Sequence, residues 1–255
     1  MTENIKKKTK ANAEKPISLK PLKKQIIMII KLTYINLGFI AWVKRKQKVR
    51  IKDNPSKINL GSGLSVAQGW INIDHDFNTF CHNWPSFLLK CIYLVSGISR
   101  LYSYEDYVDI LRHHCFVFHN LQYGIPFYDK SIDYIYSSHF LEHLYRDQGK
   151  YFTREAYRVL KKGGKIRICV PDLNYACSLY QKGQTEKALR FFFPDTKSED
   201  KGYHRYMYDF NMLHTLLQGA GFSNIEKCSY RQGNTPDINT LDVKPEETLF
   251  LEAIK

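Results

Sequence analysis

The chain has 255 residues, 44% hydrophobic and 14% aromatic, enough for one large domain with a full core, so wholesale disorder is excluded. It carries 38 Lys+Arg against 25 Asp+Glu, a net charge of +13. That excess is local: residues 1–57 hold 16 basic and 3 acidic side chains, while 58–255 hold 22 of each. The high pI therefore does not make the body a nucleic-acid binder.

Residues 1–24 are rich in lysine, with Pro16 and Pro21, and read as a solvated tail. From 26 to 43 the chain turns apolar, interrupted by Lys31, Thr33 and Asn36. Lys23 and Lys24 precede this stretch, and Lys44, Arg45, Lys46, Lys48 and Arg50 follow it. Three placements fit: a helix packed on the body, a helix lying on an anionic membrane through residues 20–52, or a span. Lys31 and Asn36 are expensive in lipid, and both flanks are basic, which weighs against the span. A late apolar stretch with no small-x-small site after it argues against a cleaved leader. The expected division is a basic arm over 1–52 and a domain over 53–255.

Beyond the arm, strand and helix signals alternate. Residues 57–60 (KINL) form a short apolar run that ends in Gly61-Ser62-Gly63, and 70–73 (WINI) end at Asp74. Residues 77–114 are aromatic-rich with helical tendency, and 116–118 read as a third strand. Residues 131–138 (SIDYIYSS) alternate as a fourth strand, and 147–160 have helical spacing that ends at Lys161-Lys162-Gly163-Gly164. A fifth strand at 165–170 stops at Pro171, a helix at 207–219 follows, and two late strands lie at 225–230 and 248–254. The pattern predicts an α/β, Rossmann-like, mostly parallel seven-stranded sheet, with helices on both faces and an antiparallel C-terminal hairpin. Only about ten residues join the first two strands, so the first crossover helix is one turn or absent.

Six cysteines (Cys81, Cys91, Cys115, Cys169, Cys177, Cys228) include no CxxC pair, so neither a zinc ribbon nor a disulfide framework is expected. A reducing cytoplasm suits them, and the arm can hold the protein at the inner face of the cell membrane.

In such sheets ligands bind beyond the carboxyl ends of the strands, where Gly61-Ser62-Gly63, Asp74, Asn120, Ser138-His139 and Pro171-Asp172 all lie. Six blocks carry a resemblance: INLGSG (58–63), GWINID (69–74), HNLQYGIPFYDKSIDYIYSSHFLEHL (119–144), REAYRVLKKGGKIRICVPDL (154–173), HRYMYD (204–209) and TLFLEAIK (248–255). In this order they resemble the class I S-adenosylmethionine-dependent methyltransferases. The likeness is to the bacterial type 11 branch linked to surface-polysaccharide and small-molecule methylation, over about residues 57–255.

The resemblance implies S-adenosyl-L-methionine as cofactor. It puts Gly61 and Gly63 at the methionine portion, Asp74 on the ribose hydroxyls, Asn120 and Leu121 at the adenine edge, and Ser138 on the methyl-transfer side, with Asn59 and Ser62 also cofactor-binding. Asn59 and Asn120 stand where the wider family often has Asp, and an amide still donates and accepts. The acceptor it implies is a small molecule or a glycan. An RNA methyltransferase that uses the basic arm, or a noncatalytic cofactor-binding relative, are the alternatives. The net-zero body makes nucleic acid the weaker partner.

A general base is needed only for weakly acidic acceptors, and the candidates are His139, Asp172 and His143. Asp172 after Pro171 also suits a helix N-cap, and His143 with Glu142 suits a structural role. H-F-L-E-H lacks the metalloprotease order, so no metal is expected from it.

Overall fold

The computed structural model describes residues 20–51, 54–193 and 204–255. Of the tail expected over 1–24, residues 1–19 lie outside the described residues, as do 52–53 and 194–203, while 20–24 are a correction: they already belong to the helix Lys20–Lys44. Seven strands form one sheet: β1 (Lys57–Leu60), β2 (Ile71–Asp74), β3 (Cys115–Phe118), β4 (Ile132–Ser138), β5 (Leu160–Pro171), β6 (Ser223–Cys228) and β7 (Thr248–Ile254). Their order is β3-β2-β1-β4-β5-β7-β6. Neighbours from β3 to β5 are parallel, and β7 runs antiparallel to both β5 and β6.

Alternation along each strand gives the two faces different chemistry. One face presents Ile58, Leu60, Ile73, Ile135, Ile166, Ile168 and Leu251. Two helices cover it, α5 (Arg146–Val159) through Phe152 and Ala156, and α8 (Phe210–Ala220) through Leu213 and Leu217. The other face carries Asn59, Asn72, Tyr136, Arg167, Cys169 and Glu252, and a wholly apolar helix could not satisfy those groups. There the one-turn helix α9 (Ile238–Leu241) and its flanking chain supply polar partners, including Asp242 at 2.6 Å from the Arg167 guanidinium.

At the β3 edge that same face is covered by α2 (Phe77–Cys81), α3 (Ser86–Ser96) and α4 (Tyr104–His113), the helical stretch expected over 77–114. The long helix α1 (Lys20–Lys44) joins them: Leu37 and Ala41 are buried, Leu37 in the cluster with Leu89, Tyr107 and Leu111. The chain after α1 stays on the body, with Val49 N–H donating to Pro126 O at 2.7 Å. Contacts of the arm with the domain thus extend well before residue 52. Outward from α1 point Met28, Leu32, Phe39, Trp42 and Val43, all exposed. Among the described residues no helix is long and apolar enough to cross a membrane.

Three boundaries differ from the sequence expectation. The Lys161-Lys162-Gly163-Gly164 run is part of β5 rather than a helix stop, because Leu160 already pairs with Ile132 and Gly163 N–H donates to Lys255 O. A Cβ on Gly164 would meet Lys161 O at 2.9 Å, so the turn side of that pairing tolerates no side chain. The helix expected at 207–219 starts at Phe210, since the Asp209 carboxylate accepts from Met212 N–H and caps it. The late strands are separated by α9, not by a helix-free connection. No helix joins β1 to β2.

Candidate active site

The sheet's carboxyl ends bring most of the sequence candidates together. After β1 the chain turns through Gly61 (φ +70°) and Gly63 (φ +50°), the left-handed region that favours glycine. Gly61 N–H donates to Ile73 O at 2.9 Å, tying the turn to β2. The two glycines have different neighbours. A Cβ on Gly61 would lie 2.5 Å from the Phe140 ring, so this glycine makes room for protein. A Cβ on Gly63 would meet nothing within 4 Å, so that side of the turn is open.

The Asn59 amide is engaged within the protein. Asn59 is 2% exposed, and its amide donates to Ser65 O (2.8 Å) and Asn72 Oδ1 (3.1 Å). It holds the turn to β2 from beneath and does not line its open side. Ser62 is buried, with its hydroxyl donating to Gly63 O.

Asp74 ends β2 with Oδ2 accepting from Gly63 N–H (2.8 Å) and Oδ1 from His75 N–H (2.6 Å). Burial and then the Asp76 charge push its carboxyl up to about 6, against the pull of those N–H donors. Each oxygen keeps a lone pair for a further donor. After β3, Asn120 Oδ1 accepts from Gln122 N–H at 2.9 Å and opens a short 3₁₀ turn. The Leu121 side chain is buried in the main core, so only its backbone is free to face a ligand.

The β4 end is the most polar corner. The Ser138 hydroxyl is buried without a hydrogen-bond partner. His139 takes φ +51°, with Nδ1 3.3 Å from Glu142 Oε1 and Nε2 3.2 Å from Thr248 Oγ1. Protein groups engage both ring nitrogens of His139. His143 Nε2 stands 3.9 Å from Glu142 Oε1. Asp172 follows β5, and its Oδ1 accepts from Asn174 N–H and caps α6 (Leu173–Gln181), the structural alternative the sequence offered.

Sequence reasoning gave no site role to Glu142, His204 or Phe140. Glu142 is fully buried and His204 lies across from it, with Arg205 and Tyr206 N–H donating to Glu142 O (2.7 and 3.1 Å). Burial lowers the His204 imidazole pKa from its ordinary value, against the pull of Glu142. The only signal in the sequence was the HRYMYD block, whose histidine meets Glu142 through the fold. A separate cavity of about 500 Å³ lies between α5 and α8, lined by Arg146, Lys150, Tyr206 and Asn211 among others, and no predicted site residue borders it.

The residues present fit S-adenosylmethionine: an open glycine cradle at Gly63, lone pairs on Asp74 at the end of β2, and an orphaned hydroxyl at Ser138.

No curated protein sequence matches the chain. Among solved structures it is similar to the S-adenosylmethionine-dependent methyltransferase SibL in its apo form (13% identity, 79% of this chain and 51% of that one, TM-score 0.46). It thus spans about half the length of that protein. It is also similar to a possible histamine N-methyltransferase from Thermotoga maritima (12%, 92% and 95%, TM-score 0.44). A third is a methyltransferase from Archaeoglobus fulgidus (15%, 88% and 94%, TM-score 0.44). Residues 106–168 match the type 11 family described as "Methyltransferase domain". That match runs from α4 through β3 and β4 into β5, within the Rossmann-like sheet of order β3-β2-β1-β4-β5-β7-β6.

Proposed function

We propose that the chain is a class I S-adenosylmethionine-dependent methyltransferase that acts on a hydroxyl or amine of a small molecule or glycan. The observation that carries the reading is the charge balance of 58–255, with 22 basic and 22 acidic side chains. A surface that tracks a phosphate backbone needs a cationic excess, and the body has none. When bound, S-adenosylmethionine supplies a methyl carbon on a cationic sulfur that leaves as a neutral thioether.

The chain's task is then mostly positioning. Asp74 accepts from the ribose hydroxyls, Gly63 leaves room for backbone approach, and Asn120 with the Leu121 backbone faces the adenine edge. Ser138 lies on the transfer side. The test is a panel of sugars, phenols, amines and a structured RNA with isotopically labelled cofactor. Label on a small hydroxyl or amine supports the reading, and label on RNA alone overturns it.

A specific observation also favours a place for the enzyme. Met28, Leu32, Phe39 and Val43 fall on one side of α1, opposite Leu37 and Ala41, which pack on the body. Exposed Lys44, Lys46, Lys48 and Arg50 follow them. An apolar stripe beside clustered cations suits the surface of an anionic bilayer, with a cytoplasmic protein held at the inner face of the membrane.

A further inference from the structure

Glu142 carries a carboxylate that is fully buried, with neither oxygen hydrogen-bonded. A buried carboxylate is costly unless a cation or donors compensate it. The groups around it are imidazoles. One ligand atom each from Glu142, His143 and His204 lies within 4.8 Å of the others. His204 Nδ1 donates to Phe191 O at 2.7 Å, which puts the proton on Nδ1 and leaves the Nε2 lone pair free. That is how metal-ligating histidines are held: one nitrogen donates to a carbonyl and the other faces the ion. The His143 and His204 rings lie 5.5 Å apart between centroids. His139 Nδ1 also stands beside the carboxylate, 3.3 Å from Glu142 Oε1.

We infer that Glu142, His143 and His204 form a binding site for a first-row divalent metal ion. Two imidazoles and one carboxylate suit Zn²⁺, Co²⁺, Ni²⁺ or Fe²⁺ better than Mg²⁺ or Ca²⁺. The sequence hid the site because H-F-L-E-H contributes two of its ligands and the third arrives from HRYMYD, folded back by the Arg205 and Tyr206 bonds to Glu142 O. Three protein ligands leave coordination positions for a further oxygen. The turn that holds Glu142 directly follows β4, two residues after Phe140, whose ring packs on Gly61. Resting on the methyltransferase reading above, those positions are where an acceptor hydroxyl binds. There it gives up its proton to solvent more readily. Its oxygen then forms the new bond to the methyl carbon, as the carbon–sulfur pair goes to sulfur.

The experiment uses the full chain, stripped of metal by chelator and titrated with Co²⁺, with Mg²⁺ as the hard-cation control. The expected result is one Co²⁺ per chain, visible d–d absorption, and a rise in thermal midpoint that Mg²⁺ does not reproduce. Glu142→Gln and His204→Ala should each weaken Co²⁺ binding by more than ~100-fold, beyond the loss expected for outer-shell changes. Thermal unfolding of each variant without metal shows that it is folded. Calorimetry with S-adenosylhomocysteine on the same samples separates the two readings. No Co²⁺ binding by the wild type, or equal binding by both variants, overturns the metal site even where S-adenosylhomocysteine still binds. Loss of S-adenosylhomocysteine binding in the wild type strikes the methyltransferase reading instead.

Discussion

The Phe140 ring occupies the space a Cβ on Gly61 would need, with Cγ and Cδ2 both 2.5 Å from that position. The glycine after β1 is thus required by packing from the β4 corner as well as by its φ of +70°. Gly61→Ala should cost about 2 kcal/mol or more, from a left-handed alanine plus overpacking. In a Phe140→Ala background the same change should cost only the backbone share, about 1–2 kcal/mol. Urea unfolding of the four proteins measures the coupling, and strict additivity would show that the ring is not the obstacle.

Asp74 supplies a pH dependence. Its carboxyl is raised from 3.8 to about 6, chiefly by burial. Between those values the folded chain keeps a proton that the unfolded chain has released, so stability falls as pH rises through the window. Asp74→Asn cannot ionise, and its urea midpoint should lack that decline between pH 4 and 6. Affinity for S-adenosylhomocysteine should move the other way in the wild type, strengthening as pH rises through about 6, because ribose hydroxyls need the carboxylate as acceptor. Parallel pH profiles for wild type and Asp74→Asn would refute both expectations.

Arg167 is fully buried between Asp242 (2.6 Å) and Glu252 (3.1 Å) on the polar face of the sheet. Arg167→Met keeps the length of the side chain but strands two carboxylates, so a loss of about 3–5 kcal/mol is expected in chemical denaturation. Glu252 also accepts from Asn234 and Thr235 N–H, so removing the acids as well would orphan those donors rather than restore the fold. A loss below about 1 kcal/mol would mean that water reaches the cluster.

The strands were legible because apolar runs of fixed length ended in turn residues, and all seven appear. Register and boundaries were not. Lys161-Lys162-Gly163-Gly164 has the composition of a helix stop, yet Leu160 and Gly163 are claimed by partners 28 and 92 residues away in sequence. The site divides in the same way. Asp74 and Gly63 meet where the strand-end rule puts them, because the rule concerns topology. Alternation turns Asn59 to the polar face, where Asn72 and Ser65 take its amide, a partnering that spacing in the sequence does not reveal. His204 could not be paired with Glu142 from spacing, since only the folded 204–208 segment joins them.

The arm makes a prediction that leaves the body untouched. Phe39 and Trp42 are 64% and 48% exposed on α1, so Phe39→Ser with Trp42→Ser should leave thermal stability nearly unchanged. The wild type should sediment with anionic vesicles and be partly released by moderate salt, since the cations are screened while apolar burial is not. The double variant should stay in the supernatant. Equal sedimentation of both proteins would assign the attachment to charge alone.

The central claim is that the turn after β1 and the acid after β2 form the cofactor site, and calorimetric titration with S-adenosylhomocysteine tests it most directly. The wild type should bind one equivalent, and Asp74→Ala should bind more weakly by about 1.5–3 kcal/mol, the range for lost hydrogen bonds to a charged acceptor. An unchanged dissociation constant in Asp74→Ala, or no binding heat in the wild type at any temperature tried, would contradict the account.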